Sequence, residues 1–266
     1  MIPPSYYSQH GEDYLLWHFF DYRRDGYFVD IGAHDGISLS NTKSFEDNGW
    51  TGICVEPIPI VADACRKIRG HVVQAACVAG MEKSVSLRVD RPGLWAGIQT
   101  DEQAVARAYH ERGSGEPDFQ TIEVPAIRAS ELVSDQHRAI DFISLDVEGT
   151  EIEVLKGLDL RRIRPRLLLV EALTDEARTS LDDYVNQFGY LRARSVSCNH
   201  LYVQTERDAR KLRGITIDCS LTVPILPGYG PADLATRAWS APTTRTQIEF
   251  IAGKLRQRYR RLVWGV

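Results

Sequence analysis

No run of apolar residues in this chain approaches the ~20 needed to cross a bilayer as a helix, so no membrane-spanning segment is expected. The opening residues, Met1-Ile2-Pro3-Pro4-Ser5-Tyr6-Tyr7, have neither a basic start nor an apolar core, so they do not read as a secretory signal. Cysteine is scarce and scattered: Cys54, Cys65, Cys77, Cys198 and Cys219 are odd in number and form no Cys-x-x-Cys pair. That excludes a zinc knuckle or a disulfide frame and reads as the reduced thiols of a cytoplasmic protein. Charge of either sign is not in excess: the net value of −4 gives no reason to expect a nucleic-acid partner. The stretch from Lys254 to Arg261 is a local basic exception. Internal repeats and low-complexity tracts are also missing.

The chain has 266 residues, 43% of them hydrophobic and 26% charged. That is enough for one large α/β domain with some appended material. Residues 1–25 read as a polar lead and an amphipathic helix. Residues 26–206 alternate short apolar strands with helices, which predicts a mainly parallel sheet covered on both faces. Strands are expected at Tyr27–Ile31, Gly52–Glu56, Val72–Ala76, Asp141–Asp146, Leu167–Glu171, Tyr190–Ser195 and His200–Gln204. Helices are expected at about Leu39–Asp47, Pro59–Ile68, Ile152–Leu158 and Asp175–Phe188. Between 84 and 130 the pattern changes to polar–apolar alternation, which predicts an insertion of antiparallel strands. Within it, 107–118 reads as a loop able to close over a substrate, and Trp95 suits stacking on a sugar as well as packing. Residues 207–266 read as an extension ending in a basic helix, which packs on the domain or on a second copy in a homodimer, with binding to a membrane surface as the alternative.

The richest stretch is Phe28-Val29-Asp30-Ile31-Gly32-Ala33-His34-Asp35-Gly36, a buried strand ending in an acid and a glycine turn. Ligands of open parallel sheets bind outside the carboxyl ends of strands. Asp30, Glu56, Asp146 and Glu171 all fall at such ends. Four acids on one rim repel one another unless they face hydroxyls, ammonium groups or a metal. A dinucleotide fingerprint needs a middle glycine for the pyrophosphate. Here that place is held by His34, and the third by Ile37. No Gly-Lys-Ser/Thr follows, so a P-loop is absent too. The turn suits S-adenosylmethionine, which carries an ammonium, a sulfonium and a ribose diol but no phosphate. Glu56, twenty residues past Gly36, can accept from both ribose hydroxyls; it equally suits a role beside the helix start at Pro57.

These residues resemble the FkbM family of S-adenosylmethionine-dependent methyltransferases. The resemblance rests on Ser8-Gln9-His10-Gly11-Glu12-Asp13, Val29–Gly36, Asn48-Gly49-Trp50-Thr51-Gly52-Ile53-Cys54-Val55-Glu56-Pro57, Ile143–Glu151 and Val154-Leu155-Lys156-Gly157, over about residues 8–204. It implies a Rossmann-like sheet of seven strands with the last antiparallel. It also implies O-methylation of a sugar, glycan or secondary metabolite. Cofactor contacts are then expected from Gln9, Asp30, Gly32, His34, Asp35, Gly36, Glu56, Pro57, Ala76 and Asp146. Gln74–Val78 lacks the Ser-Asp often found there, which leaves the grip on adenine open.

An alcohol must lose its proton to accept a methyl group. Asp146, Glu148, Glu171 and His200 are the candidate catalytic residues, with Glu148 or Asp146 favoured as a single base. Alternatively Asp146, Glu171 and Asn199 hold Mg²⁺, which would acidify the acceptor hydroxyl. Glu148 also suits a first-turn helix acid. Two further functions compete: a non-catalytic S-adenosylmethionine-binding protein, and a nucleotide-sugar or NAD enzyme on a similar sheet.

Overall fold

The computed structural model describes residues 4–90, 96–97, 119–133 and 139–216. Trp95, the 107–118 loop and the basic C-terminal helix lie outside the described residues. In chain order the elements are α1 (Glu12–Phe19), β1 (Tyr27–Ile31), α2 (Lys43–Glu46), β2 (Thr51–Val55), α3 (Pro59–Arg66), β3 (Val72–Val73), β4 (Ala76–Val78), β5 (Ser84–Asp90), β6 (Ala96–Gly97) and β7 (Phe119–Arg128). A short 3₁₀ turn (Ala129–Leu132) follows, then β8 (Phe142–Leu145), α4 (Glu151–Leu158), β9 (Leu167–Glu171), α5 (Asp175–Asn186), β10 (Leu191–Val196), β11 (Asn199–Val203) and α6 (Glu206–Gly214).

The main sheet has seven strands in the order β3-β2-β1-β8-β9-β11-β10. The first five run parallel, and β11 lies antiparallel between β9 and β10. This is the expected Rossmann-like sheet with its antiparallel last strand. Its central strands are almost wholly apolar, Asp30, Ser144 and the terminal Glu171 excepted, because helices cover both faces. Val29, Ile31, Ile143, Leu145, Leu168 and Val170 point to one face, with Val154 of α4 and Leu181 of α5. Phe28, Phe142, Leu167, Leu169 and Leu201 point to the other, with α1 and Leu212 of α6. On that second face Trp17 stacks on Phe45 at 4.4 Å between ring centroids, and Trp50 meets Phe45 edge-on at 4.8 Å. Among the described residues no helix is long and apolar enough to cross a membrane.

The structure departs from the sequence expectation in three places. The strand foreseen at Val72–Ala76 is split, and β4 leaves the main sheet to pair with β7. There it lies against α4: a Cβ on Gly157 would stand 2.1 Å from the Val78 carbonyl oxygen. The antiparallel insertion is present as β5 and β7, registered from Ser84↔Pro125 to Asp90↔Phe119. The helix foreseen from Leu39 begins only at Lys43. Leu39 has a φ of +59° and bridges Ser8, while Ser40 and Thr42 bond a buried polar cluster. Finally, the alternation runs beyond residue 206. α6, capped by Thr205 accepting from the Asp208 N–H, supplies the buried Ala209 and Leu212.

Candidate active site

The turn after β1 is tied to β2 from its first residue, since the Gly32 and Ala33 N–H groups both donate to the Val55 carbonyl, at 2.9 and 3.0 Å. Gly32 has a φ of +89°, and a Cβ there would lie 1.7 Å from the Asp146 carbonyl oxygen. Glycine is therefore required twice over, by backbone conformation and by the closeness of the loop after β8. Gly32→Ala is expected to abolish cofactor binding and lower the melting temperature. The left-handed backbone alone costs about 1–2 kcal/mol for a residue with a Cβ, and the clash adds to it. Gly149, at φ +105° with nothing within 4 Å of where a Cβ would stand, is the control: Gly149→Ala should show the backbone cost only. Comparable losses in both variants, by thermal melt and calorimetric titration, would refute the close-contact argument.

His34 also has a positive φ, +49°. Its N–H donates to Glu56 Oε2 at 3.0 Å, and the Ile58 N–H donates to Oε1 at 2.9 Å. Glu56 is thus buried at the tip of β2 with one N–H on each oxygen, and the second lone pair of each oxygen remains as acceptor capacity. Burial pushes its carboxyl above the ordinary range against the pull of those two N–H groups. Asp35 turns inward instead: it accepts from the Ile37 and Ser38 N–H groups at 2.9 and 2.7 Å and from the Ser38 hydroxyl at 2.7 Å. Burial alone would raise its pKa, but His34 and these donors outweigh it and hold Asp35 well below the usual range. Asp35 therefore shapes the loop.

Asp30, expected among the cofactor contacts, has partners within the fold. It is buried, takes the Thr42 hydroxyl, and has Arg69 Nη1 3.9 Å away. Burial pushes its carboxyl above the ordinary range, against the pull of Arg69 and the Thr42 hydroxyl. Of the other expected cofactor residues, Gln9 is half-buried beside Ser8, which bridges Leu39 after the glycine turn. Pro57 is half-buried next to Glu56, and Ala76 is buried with Ile58 and Val61 in a small apolar cluster.

On the other side of the turn, Glu171 ends β9 and Asp146 follows β8. Burial pushes the Glu171 carboxyl well above the ordinary range, and the charges of Asp146 and Glu148 and a hydrogen bond with Asp146 push it further. The Cys198 thiol donates to Glu171 Oε1 at 3.4 Å. Glu148 has a φ of +58° in a loop held by Glu151, whose Oε1 accepts from the Val147 and Gly149 N–H groups at 3.3 and 2.9 Å.

His200 does not join this group. On β11 it pairs with Val170, so it shares the face of α5 and not that of Asn199 and Glu171. It is buried with Nδ1 2.8 Å from the Ser195 hydroxyl. The magnesium set is not assembled either. Asn199 stands opposite Glu171 in register but gives its Nδ2–H to Glu12 Oε1 at 2.8 Å. Among the described residues no group of three or more His, Cys, Asp or Glu side chains is arranged to hold a metal ion.

Several site-building residues had no role in the sequence reading. Glu12 holds the His10 N–H at 2.8 Å as well as Asn199, joining the N-terminal segment to β11. Asp13 takes the Tyr7 and Ser8 N–H groups, and burial pushes its pKa up to about 6. Glu12, Asp13 and Glu151 fall within the motifs that carried the resemblance, but their spacing alone named no partner. Arg69 carried no signal beyond being one more arginine at a helix end.

Strand order and glycine turn together define a Rossmann-like fold with a rim of acids at the tips of its parallel strands. The family model described as the methyltransferase FkbM domain matches residues 30–199. The chain belongs to the FkbM methyltransferase family, and it is an S-adenosylmethionine-dependent methyltransferase. A search of curated proteins finds no match. Solved structures similar to it include a precorrin-6y C5,15-methyltransferase from Geobacter metallireducens, at 11% identity over 71% of this chain and 85% of that one, TM-score 0.37. Also similar is a TehB-like SAM-dependent methyltransferase from Corynebacterium glutamicum, at 8% identity over 74% and 88%, TM-score 0.40. A human methyltransferase 10 domain containing protein matches at 11% identity over 76% and 83%, TM-score 0.40.

Proposed function

We propose that the protein methylates a hydroxyl oxygen of a sugar, glycan or secondary metabolite. The observation that carries this reading is the Glu171–Asp146 carboxyl pair beside the glycine turn, with Glu171 holding its proton above the ordinary carboxylate range. A base for an alcohol needs a proton affinity raised towards the working pH, and this pair has it.

The donor set fits S-adenosylmethionine. Glu56 offers two buried acceptor oxygens, suited to the ribose hydroxyls. The glycine turn, with His34 in the place of a pyrophosphate loop's middle glycine, has no feature for a pyrophosphate. The buried guanidinium beside it, Arg69, already serves Asp30 and Glu46, so the pocket favours a cationic ligand over an anionic one. Gly32, His34 and Gly36 would line the methionine end, with Gln9 and Asp146 nearby. Pro57 and Ala76 would border the base. Bound there, the cofactor supplies a methyl group on a sulfonium already activated for transfer. The protein must then orient the acceptor and take its proton. Glu171, once deprotonated, receives that proton and shares it with Asp146. Glu148 adds the negative charge that keeps the pair basic. The thiols of Cys54, Cys65, Cys77 and Cys198 are free, which supports placing the enzyme in the cytoplasm.

The test is S-adenosylhomocysteine release, measured over a panel of monosaccharides, oligosaccharides and hydroxylated natural products, with amines and RNA alongside. Turnover with a hydroxyl acceptor and a product about 14 mass units heavier on oxygen, by the mass of one CH₂ gained, is the result expected. Turnover confined to amines or RNA would overturn the proposal.

A further inference from the structure

We propose that Arg69 is the positioning residue of the cofactor turn: its buried guanidinium sets where Gly36 stands and takes the charge of Asp30 out of the pocket. The inference rests on the reading of this turn as the S-adenosylmethionine cradle.

Arg69 lies just beyond α3, its N–H donating to the Cys65 carbonyl at 2.9 Å, and its side chain is fully buried. Nη1 donates to the Gly36 carbonyl at 2.9 Å and to the Ser40 hydroxyl at 3.3 Å. Nη2 donates to the Thr42 hydroxyl at 2.7 Å, and Nε donates to Glu46. The guanidinium carbon sits 5.4 Å from the centre of the Phe28 ring. One planar fork therefore touches the glycine turn, the segment that follows it and α2, and stands beside the acid of β1.

The stem matters as much as the head. A Cβ on Gly36 would lie 2.6 Å from Arg69 Cγ and 2.8 Å from Cys65 Sγ. The glycine at 36 is thus explained by the arginine stem filling its side-chain space, in addition to its φ of +81°. The far end of the turn is held by the Gly36 N–H to the Ala33 carbonyl at 2.9 Å and by Arg69 on the Gly36 carbonyl. Lysine cannot substitute. It keeps the charge, but its donors radiate from one nitrogen and cannot span Gly36, Thr42 and Glu46 together.

The charge and the placement separate experimentally. Arg69→Met leaves Asp30 buried without its cation and should lose much of its thermal stability. Adding Asp30→Asn should restore most of that stability. If Arg69 also places the turn, the double variant and Arg69→Lys should both bind S-adenosylhomocysteine at least tenfold more weakly, titrated well below their melting temperatures. The KM for S-adenosylmethionine should rise with them while kcat at saturation changes little. Folded variants with the wild-type dissociation constant and KM would reduce Arg69 to a purely structural residue and overturn the proposal. Should neither Arg69 variant fold, Glu46→Gln decides. It loosens the Nε anchor at a partly exposed site and should weaken binding about two- to fivefold, and unchanged affinity there overturns the proposal. Wild-type protein that binds no S-adenosylhomocysteine would instead remove the cofactor reading on which the inference rests.

Discussion

Glu56→Ala should weaken S-adenosylhomocysteine binding at least tenfold, about 1.4 kcal/mol or more. Two losses add. The proposed contacts to the ribose hydroxyls go, and hydrogen bonds to a charged acceptor are worth more than neutral ones. The His34 and Ile58 N–H groups also lose the carboxylate that pairs them, and an unsatisfied buried donor costs about 1–3 kcal/mol. A cycle separates the two. An S-adenosylhomocysteine analogue lacking the ribose 2′-hydroxyl should bind the wild type more weakly than the parent compound, and should bind Glu56→Ala about as weakly as the parent does. Non-additivity of this kind marks a direct contact. Equal penalties for the missing hydroxyl in both proteins would mean that Glu56 acts only through the loop, and an unchanged dissociation constant would refute its part in binding altogether.

How much of the fold and site is legible in the sequence depends on the range of the interactions. β1, β8 and β9 are mainly apolar on both faces, so their runs stand out between polar segments, and their ends place Asp30, Asp146 and Glu171. The glycine turn and the acid at Glu56 are likewise local signals, and their spacing carried the cofactor reading. Side-chain partners are not local. Asp30 and Arg69 are 39 positions apart, and only the fold brings the guanidinium under the turn. Glu12 and Asn199 meet across 187 positions. His200 fails for a different reason: strand parity turns it to the α5 face, and a sequence shows that parity only once register is known. The 72–78 segment divides between two sheets, and its second part lies against Gly157 of α4, a long-range contact that the segment's own residues do not announce.

Glu171→Gln should lower kcat by about 10²–10⁴, the usual contribution of a positioned base, while making the protein more stable at alkaline pH. The two effects share one cause. Glu171 is buried beside Asp146 and Glu148, and its folded-state pKa lies above that of an ordinary glutamate. Below the ordinary value both folded and unfolded chains carry the proton, and the group contributes no slope. Between the ordinary and the raised value the folded chain binds more protons than the unfolded one, so stability falls as pH rises. Above the raised value the like charges stand unrelieved. The same loss of a proton creates the form able to accept one from an alcohol, so the wild-type rate should climb with pH as stability declines. A glutamine cannot ionise. Its melting temperature should fall less with pH than that of the wild type and exceed it at the alkaline end, by roughly 2–4 °C per kcal/mol relieved in a chain of this size. Asp13, whose pKa of about 6 is also raised by burial, gives a slope of the same sign, but it is common to both proteins and cancels in the comparison. Melting curves across pH and rates of S-adenosylhomocysteine release decide the matter. A variant with wild-type kcat would remove Glu171 from the chemistry, and one whose stability tracks the wild type at every pH would show that its carboxyl is not strained by its neighbours.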